Sequence, residues 1–291
     1  MPVNTSDIAK LRKMTNVGLL ECKKALEKAN GDIEKAVEEM RIAGLAKAVS
    51  KSDRSATEGL VVVATSADQK KAAILEINCE TDFVAGNDVF VDFTNRLANH
   101  ALNNGIDNVE KLLAENDERS TFEETRQQLV LKLGENIQLR RIDLIESDGI
   151  ISAYKHGRKI GVLVSINSDN DDVGKDIAMH IAAESPKAIS PNDLPEDLIK
   201  KEKSVCEAQV KDLNKPAEMI EKILHGKVNK ALNEICLIGQ SFIKEPSQTV
   251  ETYLKEKNTN VIQFIRYEVG EGMEKKVENF AEEVRKQVED K

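Results

Sequence analysis

Residues 59–100 read GLVVVATSADQKKAAILEINCETDFVAGNDVFVDFTNRLANH. Leu60 to Thr65 is rich in β-branched residues, Ser66 to Gln69 supplies a polar turn, and Ala72 to Asn78 is a second apolar run; the spacing predicts a β-hairpin. From about Asn87 the period changes, with Phe90, Phe93, Leu97 and Ala101 at helical spacing. The same order returns downstream: a strand from Gly149 through Tyr154, a turn at His156-Gly157, a strand from Gly161 to Asn167, and a helix carrying Ile177, Ala178 and Ile181. Leu97-Ala98-x-His100 is echoed by Ile177-Ala178-x-His180. Such an internal repeat implies two related α+β subdomains packed together.

The two copies differ in one place. Gly59 to Asn78 spans 19 positions and Gly149 to Asn167 spans 18, yet Asn78 to His100 takes 22 positions where Asn167 to His180 takes 13. The nine additional residues include CETDFVAGN, and a loop present in one copy alone is dispensable to the scaffold and suited to function. Within it Thr81-Asp82-Phe83-Val84 sets a carboxylate beside a large ring. Two readings stand: Phe83 turned inward as a plug while Asp82 bonds loop amides, or Phe83 filling a partner's pocket while Asp82 competes for polar groups there.

Working outward to the N-terminus, Thr5 and Ser6 are candidate caps for a first helix bearing Ile8, Leu11 and Met14. A second carries Leu19, Cys22, Leu26 and Ala29 and ends at Asn30-Gly31. Asp32 caps a third with Ile33, Ala36, Val37 and Met40, for which Gly44 marks the stop. Residues 1–54 hold 11 basic and 8 acidic residues, a local excess of +3 within a chain of net charge −9. Residues 47–59, KAVSKSDRSATEG, read as a linker or a fraying helix end.

Between the hairpins lie helical stretches at Asn108–Glu115 and Phe122–Leu133, then Gly134-Glu135-Asn136 and a strand through Leu139, Ile142 and Leu144. From Glu196 to Ile235 two amphipathic helices are split at Asn214-Lys215-Pro216; the first carries Ile199, Cys206, Val210 and Leu213. They make a helical hairpin, either a projecting self-association arm or one folded on the core. Val261 to Val269 is a strand candidate ended by Gly270-Glu271-Gly272, and Val277, Phe280, Ala281, Val284 and Val288 form a last helical stripe.

Composition narrows the functional classes. With 42 basic and 51 acidic residues the 291-residue chain is a poor whole-protein nucleic-acid binder. Without Trp and with 3 Tyr and 7 Phe, it has few rings for base stacking. Cys22, Cys79, Cys206 and Cys236 form no C-x-x-C pair, so reduced thiols are expected and no zinc cage. The opening MPVNTSDIAK shows no secretory pattern and no run of about 20 apolar residues exists, so a cytoplasmic protein is expected. His100 and His180 read as core or interhelix histidines rather than metal ligands. Phosphate-loop, dinucleotide, acyl-transfer and zinc-protease motifs are missing, and no cofactor is expected.

Six segments together resemble the bacterial elongation factor Ts family: TNVGLLECKKALEKANGDIEKAVEEMR, EINCETDFVA, GENIQLRR, YKHGRKIGVLV, IAMHIAA and FIRYEVGEG. The resemblance implies a guanine-nucleotide exchange factor for elongation factor Tu, without covalent chemistry. It implies a UBA-like three-helix domain at 1–54, a core N-subdomain at 55–146 and a core C-subdomain at 147–190. A coiled-coil dimerisation arm at 191–236 and a return to the core with a C-terminal helical module at 237–291 complete it. Thr81, Asp82, Phe83 and Val84 match the family motif that intrudes into the partner and dislodges its magnesium ion. Softer partner contacts by the same resemblance are Lys23, Leu133, Gly134, His156, Gly157 and Ile243, and a homodimer or 2:2 complex is implied for the arm. Ser241 stands where the resemblance leads one to expect proline. Two competing readings are an RNA or ubiquitin-like-chain binder using residues 1–54, and an enzyme using Glu80, Asp82 and Asp88 as a carboxylate site.

Overall fold

The computed structural model describes residues 3–15, 17–117, 120–210 and 216–273. The described residues divide into two compact units, one within 1–62, 75–143 and 268–273, the other within 63–74 and 144–267. The build is α+β, as the alternation of hairpin and helix predicts.

The first unit begins with α1 (Thr5–Thr15), α2 (Leu19–Lys28) and α3 (Ile33–Lys51). Their shared core is Ile8, Leu11, Val17, Cys22, Ala25, Leu26, Ala29, Ala36 and Met40. Several details differ from the sequence reading. The α1 cap is Asn4, whose side chain accepts the Ser6 N–H at 3.1 Å, while Thr5 and Ser6 lie inside the helix. Met14 and Leu19, placed by periodicity on the core faces, are exposed; three short helices do not offer enough surface to cover both ends of every stripe.

Asp32 caps α3 as expected, accepting from the amides of Glu34 and Lys35. Gly44 does not stop α3, which runs on to Lys51 and takes in the first part of the segment read as a linker. Gly44 faces a later helix closely, with Gln128 Nε2 3.0 Å and Gln127 O 3.3 Å from where a Cβ would sit. A hydrogen there lets two backbones approach, and that contact outweighs the helix penalty of glycine.

There follow β1 (Glu58–Thr65), β2 (Lys71–Cys79), α4 (Asp82–Ala85) and α5 (Asp88–Asn104). Next come α6 (Val109–Ala114), the short β3 (Asn116–Asp117) and β4 (Ser120–Thr121), α7 (Phe122–Leu133) and β5 (Gln138–Glu146). The main sheet has the order β1-β2-β5. Asn87 caps α5 and Gly105, at φ 64°, ends it. Phe90, Phe93, Leu97, Ala98 and Ala101 form its buried face, and Phe93 meets Phe122 of α7 with centroids 6.2 Å apart. Reciprocal bonds between Thr121 and Glu124 open α7, and Gly134, at φ 79°, closes it. Arg41 pairs with Glu124, and Gln128 Nε2 donates to Met40 O at 3.3 Å, so α3 lies along α7.

Besides residues 63–74 of the β1–β2 hairpin and the end of β5, the second unit holds β6 (Ile150–His156), β7 (Ile160–Ile166), α8 (Asp171–Glu184), α9 (Glu196–Val210) and α10 (Ala217–Glu234). It continues through β8 (Ser241–Phe242), β9 (Glu245–Thr249), α11 (Val250–Glu256) and β10 (Val261–Glu268). The three-stranded sheet has the order β10-β7-β6. The β6–β7 register pairs Ile150 with Ile166 and His156 with Ile160. The tight turn is therefore Gly157-Arg158-Lys159, and His156 is the last strand residue rather than part of the turn. The core joins Val162, Val164, Ile166, Val173, Ile177, Ile181, Phe242 and Leu254.

Helices α9 and α10 form the expected helical hairpin. Leu232 joins Cys236, Ala188 and Leu194 in a cluster at its base, while Val205 and Met219 are exposed. Asn214, Lys215 and Leu213, and the stripe from Val277 to Val288, lie outside the described residues. All four cysteines are free and buried.

Helix α8 rests on β6 through Gly174. A Cβ there would lie 2.1 Å from Ser152 Oγ and 2.7 Å from Ser152 Cβ, while Ser152 Oγ donates to Asp171 Oδ1 at 2.7 Å. Gly174→Ala is therefore expected to destabilise the protein by about 1–3 kcal/mol, the usual cost of overpacking. Urea unfolding monitored by circular dichroism checks this.

Candidate functional site: an anchored loop with an exposed ring

The inserted residues of the first copy fold into α4, a single helical turn set between β2 and α5. Its two sides are unlike. Val84 and Ala85 are buried, whereas Asp82 is exposed and Phe83 is 86% exposed. The inward-plug reading of Phe83 is thus overturned. Asp82 does not serve as the loop's amide acceptor either; Glu135 and Thr81 take that part.

The anchoring comes from two exchanged carboxylates. Glu135 Oε2 accepts the amides of Glu80 and Thr81, each at 3.0 Å, and its Oε1 accepts the Thr81 hydroxyl at 2.6 Å. Glu80 Oε1 in return accepts the Asn136 amide at 2.7 Å, and Glu80 Oε2 lies 3.4 Å from Arg54. The Thr81 hydroxyl also accepts from Val84 N–H at 3.4 Å and so caps α4. Cys79 Sγ contacts Thr81 O at 3.1 Å, and burial, then the Glu135 charge, push this thiol up to about 12. Asn136 Nδ2 donates to Ser52 O and Arg54 O, tying the 135–136 turn to the end of α3.

A third carboxylate precedes the loop along the chain. Glu76 on β2 has no exposed surface and is held by Arg140 Nη1 at 3.1 Å and Arg141 Nε at 2.6 Å. The Gly270 amide at 2.8 Å and Asn78 Nδ2 at 3.0 Å complete its partners. Burial alone would raise the Glu76 pKa, but the bonds from Gly270, Asn78 and Arg141 prevail and it is lowered. Arg140 Nη2 and Arg141 Nη2 reach on to the carbonyls of Glu271 and Glu268. EINCETDFVA, GENIQLRR and FIRYEVGEG are therefore one interlocked assembly.

Sequence reasoning missed Glu76, Glu135 and the arginine pair. A signal was present: a charged residue within the apolar strand AAILEIN demands cationic partners, and the partly exposed Arg140-Arg141 supply them.

The other candidates are dispersed. Leu133 and Gly134 immediately precede Glu135, and Gly134 carries the left-handed turn ending α7. Lys23 is exposed on α2 and 3.7 Å from Glu27. In the second unit, His156 and Gly157 are exposed at the β6–β7 turn. Ile243 is exposed, its amide donating to His180 Nδ1 at 3.3 Å. Of the carboxylates in the enzyme reading, Glu80 is committed to Asn136 and Arg54. Among the described residues no cluster of His, Cys, Asp or Glu is arranged to hold a metal.

His180 is a core histidine, as its place in the repeat suggested. With Nδ1 accepting from Ile243, Nε2 carries the proton and donates to Gln240 Oε1 at 3.0 Å. His100 instead packs edge-on against Phe122 at 5.1 Å, with Glu115 3.7 Å from its Nε2.

Fold and site together define an α+β protein that presents an exposed aromatic residue on a short, backbone-anchored loop. A family model described as Elongation factor TS matches residues 80–271. Elongation factor Ts of Legionella pneumophila (strain Paris) is 47% identical over 287 residues, 98% of each chain. That of Halorhodospira halophila (strain DSM 244 / SL1) is 46% identical over 290 residues, 100% of each. That of Coxiella burnetii (strain Dugway 5J108-111) is 43% identical over 284 residues, 97% of this chain and 96% of the relative. The chain belongs to the elongation factor Ts family.

Burial lowers the His180 pKa against the opposing pull of its bond to Gln240. The unfolded chain therefore binds a proton more readily than the native one. The associated stability is complete above the ordinary imidazole value of about 6.5 and is lost as pH falls below it. Between pH 7.5 and 5.5 the wild type is expected to lose more stability than His180→Gln, read as the difference in denaturation midpoints.

Proposed function

We propose that this chain binds elongation factor Tu in its GDP form and promotes release of GDP, so that GTP can rebind. The observation that carries this reading is Phe83, 86% exposed on a turn whose other face is buried and whose backbone is fastened by Glu135. An exposed ring on a fixed support is an anchor awaiting a pocket, and full burial of such a side chain is worth about 1.5–3 kcal/mol.

In the partner, GDP phosphates are held by a magnesium ion and by oriented backbone amides. Phe83 wedges between partner elements and Asp82 competes for the polar groups that keep the metal-holding segment in place, with Thr81 and Val84 completing the motif. Loss of the ion weakens the phosphate site. Linkage then requires GDP to weaken binding of the factor by the same ratio, so each displaces the other. No covalent bond changes, and no cofactor of the chain's own is required.

Leu133 and Gly134 adjoin the anchoring turn and are proposed as further partner contacts, as are Lys23, His156, Gly157 and Ile243. Residues 1–54 are read as a UBA-like domain, 55–146 and 147–190 as the paired core subdomains, and 237–291 as the return and C-terminal module. The hairpin within 191–236 is read as a coiled-coil arm for a homodimer or a 2:2 complex. No helix among the described residues is long and apolar enough to cross a membrane; cytoplasmic residence is part of the proposal.

Stopped-flow release of a fluorescent GDP from elongation factor Tu tests it. The wild type is expected to accelerate release. Phe83→Ala is expected to forfeit at least about tenfold of that acceleration, a loss of about 1.4 kcal/mol or more, while melting within about 0.5 kcal/mol of wild type as exposed positions do. A wild type that leaves release unchanged, or a Phe83→Ala that exchanges normally, contradicts the reading.

A further inference from the structure

The geometry points to Glu135 as the positioning residue that fixes how Asp82 and Phe83 are presented, and this rests on the exchange reading above. Glu135 is outside the Thr81–Val84 motif, yet it supplies every acceptor for the two amides and the hydroxyl that lead into α4. One side chain thus sets two consecutive peptide planes and one hydroxyl rotor immediately before the exposed pair.

The hydroxyl is the informative part. Because Thr81 Oγ1–H donates to Glu135 Oε1, its lone pairs are left to accept from Val84 N–H, which starts the turn bearing Phe83. A carboxylate is required for this polarity: both oxygens accept, one from two amides and the other from the hydroxyl. A carboxamide keeps the shape and turns one arm into a donor, which either confronts the amides or reverses the Thr81 hydroxyl. Glu135 is itself aimed by its neighbours, since Gly134 turns the chain at φ 79° and the Asn136 amide is locked onto Glu80. The side chain is part-exposed, so neutralising it strands no buried charge.

The test is GDP release from elongation factor Tu over a range of factor concentrations, using full-length wild type, Glu135→Gln, Thr81→Val and the double variant. Glu135→Gln is expected to lower the maximal release rate at least about tenfold, as small misplacements of a working group do. The half-saturating concentration is expected to move less than about threefold, because Glu135→Gln replaces none of the residues proposed to touch the partner, and the melting temperature should stay near wild type. Thr81→Val, which removes only the hydroxyl, should reproduce part of the loss, and Glu135→Gln added to it should cost less than it does alone. A Glu135→Gln variant with wild-type maximal rate overturns the inference, as does a change confined to half-saturation. If the wild type itself gives no acceleration, the exchange reading fails and the inference falls with it.

Discussion

A carboxylate with no exposed surface must be answered by cations and N–H donors, and Glu76 is such a group. Its demand explains why two consecutive arginines of β5 reach the same acid from adjacent positions, and why the turn after β10 closes with the Gly270 amide pointed at it. Removing one member of a buried charged set generally costs about 3–5 kcal/mol, because the others are left unpaired. The ionic set thus pins three stretches far apart in sequence: β2, β5 and residues 268–272. Four residues beyond Glu76 along the chain, Glu80 begins an exchange of carboxylates with the 135–136 turn.

That exchange turns a well-held strand into a well-held loop. Glu80 grips the amide of Asn136 while Glu135 grips the amides of Glu80 and Thr81, so neither segment can shift without breaking bonds on both sides. Ordering a free backbone costs about 1–2 kcal/mol per residue. Under the proposed function, a loop already fixed would not incur that cost on meeting its partner, and more of the contact energy would be left to distort the partner. An exposed phenylalanine is unfavourable in the free protein by itself; here it is carried by a support whose stability comes from charge and backbone bonds rather than from the ring. The same economy holds in the second unit, where neutral His180 fastens the strand leading to Ile243.

Much of this was legible in the sequence because it follows from local periodicity. The hairpins, α5, α7, α8 and the helical hairpin have strong apolar spacing and clear terminators, and the unequal spacing of the two copies singled out the segment that carries Phe83. What was not legible depends on tertiary partners. Gly44 reads as a stop by composition but is a contact point against α7, and only the neighbouring helix decides between the two. The exposure of Met14 and Leu19 reflects the small area of a three-helix core. Glu135 sits in a polar tripeptide that any turn could contain, and its importance appears only when β2 and the 135–136 turn are brought side by side.

In the free protein the bonds of Glu135 and Thr81 hold the loop in one conformation. Native-state amide hydrogen exchange of the free protein, resolved at Glu80, Thr81 and Val84, measures this directly, since the opening free energy of each bond sets its protection. Protection at all three comparable to that of β2 is the expected result. Exchange near the rate of an unstructured peptide at these amides, with β2 still protected, would show a loop ordered only on binding and would contradict it.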